Sequence, residues 1–359
     1  MKKTRELYLD LLRVTACFAV ILIHTKGHGA TLFLKYDPGT WGYYSALFFT
    51  VFIRFAVPVF FAVSGATLLG RKEESPRKMF SRIIRIVIVL LIFSLLHYLD
   101  DVVPAEGAFR PLRFLALTYS RNIHATLWYL YAYLAFLVSL PVLRPLAQNL
   151  SDAGFRYMFL LILAVGSLIP CLEVCLLHAG YRMNTSFDIT WMLSDVVAYP
   201  MLGYYFHDRL DPKRDLKDLW WVWPLTAAAL LFTTFTLGRM MEISGGYSKN
   251  IFRIYVAKFD LLHTFSLFLL ARCLCTRVHF PGWLQKAVFG LAPCVFGIYL
   301  IHVFFMKDGR LFEKCQSFLT SSGHIGELAA TLLAALLIMA VSGLITWILR
   351  RIPAVRRFL

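Results

Sequence analysis

Residues 43–70 read YYSALFFTVFIRFAVPVFFAVSGATLLG and already determine the class of protein. Arg54 is the single charged side chain in this run of 28 residues. A helix of about 20 apolar residues is long enough to cross the roughly 30 Å hydrocarbon layer of a bilayer. The segment therefore predicts a membrane-spanning helix.

The rest of the chain repeats this pattern. Of its 359 residues, 59% are hydrophobic and only 16% are charged, whereas a soluble domain has about a quarter of its residues charged. The predicted spans are 9–27, 43–70, 83–103, 125–146, 155–178, 190–206, 219–238, 252–274, 288–306 and 326–350. The sequence thus predicts an all-α, polytopic bundle of about ten transmembrane helices that forms one domain over residues 1–359.

The distribution of basic residues predicts the orientation of the bundle. Ten spans leave both termini on one side, and Lys and Arg are in excess in the segments on that side, such as 71–85, 209–217 and 350–357. The positive-inside rule then predicts cytoplasmic termini in a bacterial inner or plasma membrane. Residues 104–124 are apolar but too short to span, so they either lie along the outer interface or form a plain loop.

Charge and cysteine content exclude two other classes. The net charge of +16 could suggest nucleic acid, but the basic residues are separated by long apolar runs and form no exposed cluster, so we predict no nucleic-acid partner. The seven cysteines have the spacing of neither a zinc site nor a disulfide framework. We predict no metal.

Three polar residues share one face of the first predicted span. Arg13 and His24 are three helical turns plus about 20° apart, or about 16 Å along the axis, and Asp10 lies one turn before Arg13. Ionised groups within a bilayer are costly and usually functional. The alternative is structural: an Asp10–Arg13 ion pair anchors the helix, and His24 reaches toward the outer surface.

Histidines also mark the outer ends of later spans. His302 lies late in a span that runs outward like the first one, so we expect it at a depth similar to that of His24. His124 precedes the fourth span on the same side. An imidazole can accept and return a proton near neutral pH, which activation of an alcohol requires. Alternatively, these are interfacial residues without chemistry.

Basic residues on the inner side form a second candidate site. Lys78, Arg82 and Arg85 recur at i, i+4 and i+7 and therefore line one helix face. Guanidinium groups bind phosphates through paired hydrogen bonds. The cluster could equally be a positive-inside anchor.

Arg54 lies in the middle of its span and therefore needs a buried anion or carbonyl as partner. Its candidate partners are Asp195, Glu173 and Asp260. Pro58 lacks the amide hydrogen that would bond the Arg54 carbonyl, so we expect a kink there. The Ser64–Gly65 pair then offers a small surface on which another helix could pack closely.

Together, these segments resemble the acyltransferase 3 family of integral membrane acyltransferases, and the resemblance covers nearly the whole chain. The motifs that carry it are the Arg13…His24 pair with Asp10, the segment RFAVPVFFAVSG from Arg54, Arg82-Ile-Ile-Arg85, His124-Ala-Thr-Leu-Trp128-Tyr129 and Tyr299-Leu-Ile-His302. One departure is that three residues separate His124 from Trp128.

The resemblance implies transfer of an acyl group, commonly acetyl, from cytoplasmic acyl-CoA to a hydroxyl of an extracytoplasmic carbohydrate or other cell-envelope acceptor. By that analogy His24 is the catalytic residue, Arg13 helps to hold the donor, and Arg82 and Arg85 bind the phosphates of the coenzyme. Further candidate site residues are Asp10, Arg54, Trp128 and His302.

Two other functions are compatible with the residues alone. A transporter of an envelope precursor or small polar solute could use the same buried charges as counter-ions or a proton relay. A sensing subunit could pass a signal to a partner. Only an acyltransferase consumes an acyl-CoA thioester, so this reaction distinguishes it from a transporter and from a sensing subunit.

Overall fold

The computed structural model describes residues 6–72, 75–169, 192, 194–211, 219–256, 258–321 and 326–359. All regular elements in these ranges are helical, which confirms the all-α prediction. The α-helices of the first half are α1 (Leu7–Ile23), α2 (Trp41–Phe52), α3 (Ala56–Leu68), α4 (Pro76–His97), α5 (Val103–Glu106), α6 (Pro111–Ser120), α7 (Trp128–Asn149) and α8 (Asp152–Leu163). Those of the second half are α9 (Ala198–Tyr204), α10 (Val222–Ile243), α11 (Lys249–Tyr255), α12 (Asp260–Arg277), α13 (Gly282–Leu291), α14 (Val295–Met306), α15 (Leu311–Ser321), α16 (Glu327–Leu349) and α17 (Pro353–Arg356).

Five helical segments within the described ranges are long and apolar enough to cross a membrane. They are Trp41–Leu68, Pro76–Glu106, Ala125–Asn149, Gly282–Met306 and Glu327–Leu349. The chain is therefore a membrane protein. The number of ten spans and the cytoplasmic termini stay predictions, and the predicted spans 155–178 and 190–206 extend outside the described residues.

The predicted helix over 252–274 is wrong at its start. The short helix α11 ends at Tyr255, and α12 begins only at Asp260. A carboxylate in the first helical turn is favoured by the unpaired amide groups and the positive end of the helix dipole. Asp260 therefore marks a helix start that apolar periodicity alone did not reveal.

Helix α1 lies at the centre of the bundle, in contact with α3, α12, α14 and α16. Ala16, Cys17 and Ala19 are almost completely buried on it. Small side chains let neighbouring helices approach closely, as is usual inside membranes. This packing brings the outer end of α1 next to α14.

The second predicted span is a continuous helical segment with an irregular centre. A 3₁₀ turn at Ile53–Phe55 joins α2 to α3, next to Pro58, as expected from the missing amide hydrogen of that proline. Beyond it, α3 packs very closely on α9. An ideal Cβ on Gly65 would lie 2.0 Å from the Pro200 carbonyl oxygen, and one on Gly203 would lie 1.8 Å from that of Ala62. Glycine is therefore required at both positions, as the Ser64–Gly65 pair predicted for α3.

The stretch 104–124 forms helices rather than a plain loop. Helix α6 leaves Leu112 and Tyr119 exposed by 83% and 95%. Large apolar side chains with this exposure are typical of a surface in contact with lipid rather than with water. Its location along the outer interface stays a prediction.

Candidate active site

His24 and His302 are in direct contact. His24 follows the last residue of α1, and His302 lies on α14. His24 Nδ1 is 3.1 Å from His302 Nε2, and the ring centroids are 5.1 Å apart. Two residues that the sequence predicted at similar depth, 278 positions apart, thus form one pair.

The backbone determines which nitrogen of the pair can accept a proton. His302 Nδ1 lies 3.1 Å from the Ile298 carbonyl oxygen, which can only accept, so this nitrogen carries the hydrogen. In neutral His302, Nε2 is then an acceptor for a hydrogen on His24 Nδ1, and the backbone of Val20 is a second hydrogen-bond partner of the His24 ring. His24 Nε2 is left with a free lone pair, which is what a general base requires.

His24 lines a cavity of about 550 Å³, named the outer cavity here after the side of the membrane that the sequence predicts for His24. Trp128, Arg54 and Asp260 line the same cavity, together with apolar side chains such as Val20. The cavity is large enough for a small polar ligand and combines hydrogen-bonding groups with an aromatic side chain. Three predicted site residues from different elements, His24, Arg54 and Trp128, therefore converge here, beside Asp260, a candidate partner of Arg54.

A second cavity of about 440 Å³ contains Arg13 and is named the inner cavity after the predicted cytoplasmic side. Asp10 is buried and accepts a hydrogen bond from Arg13 Nη1 at 2.7 Å. The ion pair of the structural alternative is therefore present, and it also holds the Arg13 side chain at the cavity. Arg85 lines this cavity as well.

Tyr129 and Tyr299 line both the outer and the inner cavity. Their rings are edge to face at 5.3 Å, and the Tyr299 hydroxyl donates to the Thr126 carbonyl. The two cavities therefore meet at a boundary made of two side chains. Neither tyrosine was predicted from the sequence to have a role of its own, although Tyr299 lies one helical turn before His302.

Arg82 and Arg85 lie in a third, open cavity of about 530 Å³ that also contains Lys78. The predicted basic face of α4 is therefore present. Arg85 lines both this cavity and the inner one. A continuous series of cationic groups consequently leads from α4 to Arg13.

Arg54 faces the outer cavity, and its buried Nε has no hydrogen-bond partner among the described residues. Its guanidinium carbon lies 5.2 Å from the centroid of the Phe252 ring, a cation–π distance. Two of its predicted partners, Asp195 and Asp260, line the same cavity. The third, Glu173, lies outside the described residues.

His124 has a structural environment rather than a place in the outer cavity. Its Nδ1 accepts from the backbone amide of Thr126 at 3.3 Å, and its ring stacks on His97 with a centroid distance of 4.3 Å. Burial lowers the pKa of His124, which favours the neutral ring at neutral pH. Trp128, one helical turn further, does line the cavity.

One group of potential metal ligands occurs among the described residues. Ligand atoms of His97, Asp101 and His124 lie within 4.8 Å of one another. The two histidine rings are parallel within 12°, whereas a metal ion binds imidazole nitrogen in the plane of each ring. Because stacked rings do not direct their nitrogens at one point, this arrangement gives no reason to change the prediction of no metal.

The comparison with protein families agrees with these observations. A family model described as an acyltransferase domain matches residues 6–350. No curated protein and no solved structure matches the chain. Since the match covers nearly all of the sequence, including every candidate site residue discussed above, the chain belongs to the acyltransferase 3 family.

Proposed function

We propose that the protein transfers an acyl group, with acetyl as the expected group, from cytoplasmic acyl-CoA to a hydroxyl of an extracytoplasmic carbohydrate or other cell-envelope acceptor. The observation that carries this proposal is the pair of cavities that meet at Tyr129 and Tyr299. One contains a histidine with a free lone pair, and the other contains arginines.

In the proposed reaction His24 Nε2 accepts the proton of the acceptor hydroxyl. The alcohol oxygen attacks the thioester carbonyl, the carbon–sulfur bond breaks, and the protonated His24 returns its proton to the CoA thiolate. A well-placed general base contributes about 10² to 10⁴ in rate. His302 acts as a positioning residue, because its acceptor nitrogen holds the proton of His24 on Nδ1.

The donor would approach from the arginine side. The phosphates of CoA cannot enter lipid, so the nucleotide would bind at Arg82 and Arg85, where guanidinium groups match phosphate oxygens. Its pantetheine arm would pass Arg13 toward His24, a path of about 16 Å at 1.5 Å per helical residue. The thioester would then reach the boundary formed by Tyr129 and Tyr299.

A transporter is the second candidate. Two cavities that meet at a thin boundary would also suit alternating access to a polar solute. Membership of an acyltransferase family favours the acyltransferase, because the family is described by its reaction, whereas the cavities are compatible with both functions. Release of CoA decides between the two functions, since a transporter does not consume a thioester.

The test uses the full chain in its own membrane, with envelope material as acceptor and radiolabelled acetyl-CoA as donor. We expect the His24→Ala variant to insert normally and to lose at least about 10²-fold in label transfer. His28→Ala is the matched control. His28 Nδ1 lies 3.4 Å from Glu327, and His28 is not among the described residues that line the outer cavity. Normal transfer by inserted His24→Ala would refute the proposal.

A further inference from the structure

Arg357 lies at the junction of the inner cavity and the open cavity beside α4. It lines both of them, together with Arg85 and Phe358. The family match ends at residue 350, so Arg357 belongs to a segment that the family resemblance does not describe.

The segment that carries Arg357 is held in place by the bundle. Helix α17 ends at Arg356, directly before Arg357. Phe358 and Leu359, which follow Arg357, are partly buried against the main hydrophobic core. The Arg350 guanidinium donates to the backbone oxygen of Leu359. Arg357 is itself exposed. Its backbone is therefore held in place by the bundle, while its guanidinium is accessible to a ligand.

The two cavities concentrate positive charge. Their basic residues are Arg13, Lys78, Arg82, Arg85, Arg350, Arg356 and Arg357. Arg13 is paired with Asp10, and Arg350 donates to the Leu359 backbone oxygen, but the described lining residues of both cavities include no Asp or Glu. Like charges at close range raise one another's energy, and this arrangement therefore favours a polyanionic ligand that several cations bind together.

We propose that Arg357 binds a phosphate group of the donor nucleotide, in combination with Arg82 and Arg85 on the facing helix. The inference rests on the proposed function, because it takes acyl-CoA as the ligand. It extends the donor site from one face of α4 to a second element that lines the same cavity. The phosphates would then be clamped between α4 and the segment after α16, and the arm would lead inward past Arg13.

The experiment measures binding and therefore does not depend on an identified acceptor. The full chain in lipid nanodiscs is titrated calorimetrically with CoA and, separately, with pantetheine, which has the same arm but no phosphate. We expect Arg357→Gln to raise the Kd for CoA roughly 10-fold, the loss of one charge-assisted contact, and to leave pantetheine binding unchanged. The Kd of Arg357→Lys for CoA should lie between those of Arg357→Gln and the wild type.

Arg351→Gln is the matched control. Arg351 is an exposed arginine of the same segment whose guanidinium lies 4.2 Å from the centroid of the Trp347 ring, and it is not among the described residues lining either cavity. Equal CoA affinity of Arg357→Gln and wild type would overturn the proposal, as would equal losses for CoA and pantetheine. Failure of the wild type to bind CoA would instead refute the proposed function.

Discussion

At the scale of single residues, the central feature is a histidine whose partner is a second histidine rather than a carboxylate. The Ile298 carbonyl fixes the hydrogen of His302 on Nδ1, and His302 Nε2 in turn fixes that of His24. The same logic operates wherever a third group selects the tautomer of a catalytic histidine. Here the selection begins at the backbone of α14.

This arrangement predicts a specific defect in the His302→Ala variant. Without the acceptor on His302, the His24 ring keeps only its backbone hydrogen bond to Val20 and is held less firmly in one orientation and one tautomer. We expect kcat to fall roughly 10- to 100-fold, with the KM for acetyl-CoA unchanged, because the donor binds at the arginines. Steady-state kinetics on folded protein, quantified by size-exclusion chromatography, provide the test. An unchanged kcat, or a rise in KM alone, would contradict the positioning role.

The sequence could predict part of this site. His24 and His302 were predicted at similar depth, because both lie late in spans that run in the same direction. Arg13 was predicted on the same face of α1 as His24, because of their helical spacing. The direction of the hydrogen bonds could not be predicted, because it depends on contact between α1 and α14. Tyr129 and Tyr299 belong to two of the segments that carry the family resemblance, but that they form the boundary between two cavities follows only from helix packing.

At the scale of helices, the position of α3 depends on its contact with α9. Gly203 approaches the Ala62 backbone so closely that an added Cβ would lie 1.8 Å from the carbonyl oxygen. Side chains can adjust to a clash, but backbone atoms on a buried helix cannot do so without moving the helix. Because Arg54 and Tyr129 lie beside α3, this contact also supports the outer cavity.

The Gly203→Ala variant should therefore be destabilised by at least about 1–3 kcal/mol, the usual effect of overpacking. Thermal unfolding in detergent measures this loss. Gly290→Ala on α13 is the control, since an added Cβ there has nothing within 4 Å. There we expect no loss and a gain of up to about 1 kcal/mol, because alanine favours helix over glycine. Equal melting temperatures for the two variants would contradict the account of this contact.

Hydropathy predicted the elements with uneven success. The long apolar runs of α3, α4, α7 and α16 are helices, as their composition requires. The start of α12 at Asp260 was missed, because the apolar pattern runs across the break and a carboxylate in the first helical turn, worth only about 0.3–1 kcal/mol, does not alter that pattern. The 3₁₀ turn at Ile53–Phe55 was indicated by Pro58, whose effect on the backbone is local and therefore readable from sequence.

At the scale of the whole molecule, a cavity with a candidate general base and a cavity lined by arginines meet at Tyr129 and Tyr299. The outer cavity holds the His24 lone pair, and the inner cavity holds arginines without described acidic residues. The sequence predicted the histidines and the arginines as separate sites. The histidines lie late in outward-running spans, and the basic residues lie at the predicted cytoplasmic side. That they share Tyr129 and Tyr299 required the three-dimensional arrangement of α1, α7 and α14.

The most direct measurement is a cryo-electron microscopy structure of the full chain in nanodiscs with acetonyl-CoA. In this analogue a methylene separates sulfur from the carbonyl, so no acyl group can leave. We predict phosphates at Arg82, Arg85 and Arg357, a pantetheine arm that passes Arg13, and a carbonyl at Tyr129 and Tyr299 that faces His24. An analogue bound in the outer cavity, or an arm directed into lipid away from the tyrosines, would contradict it.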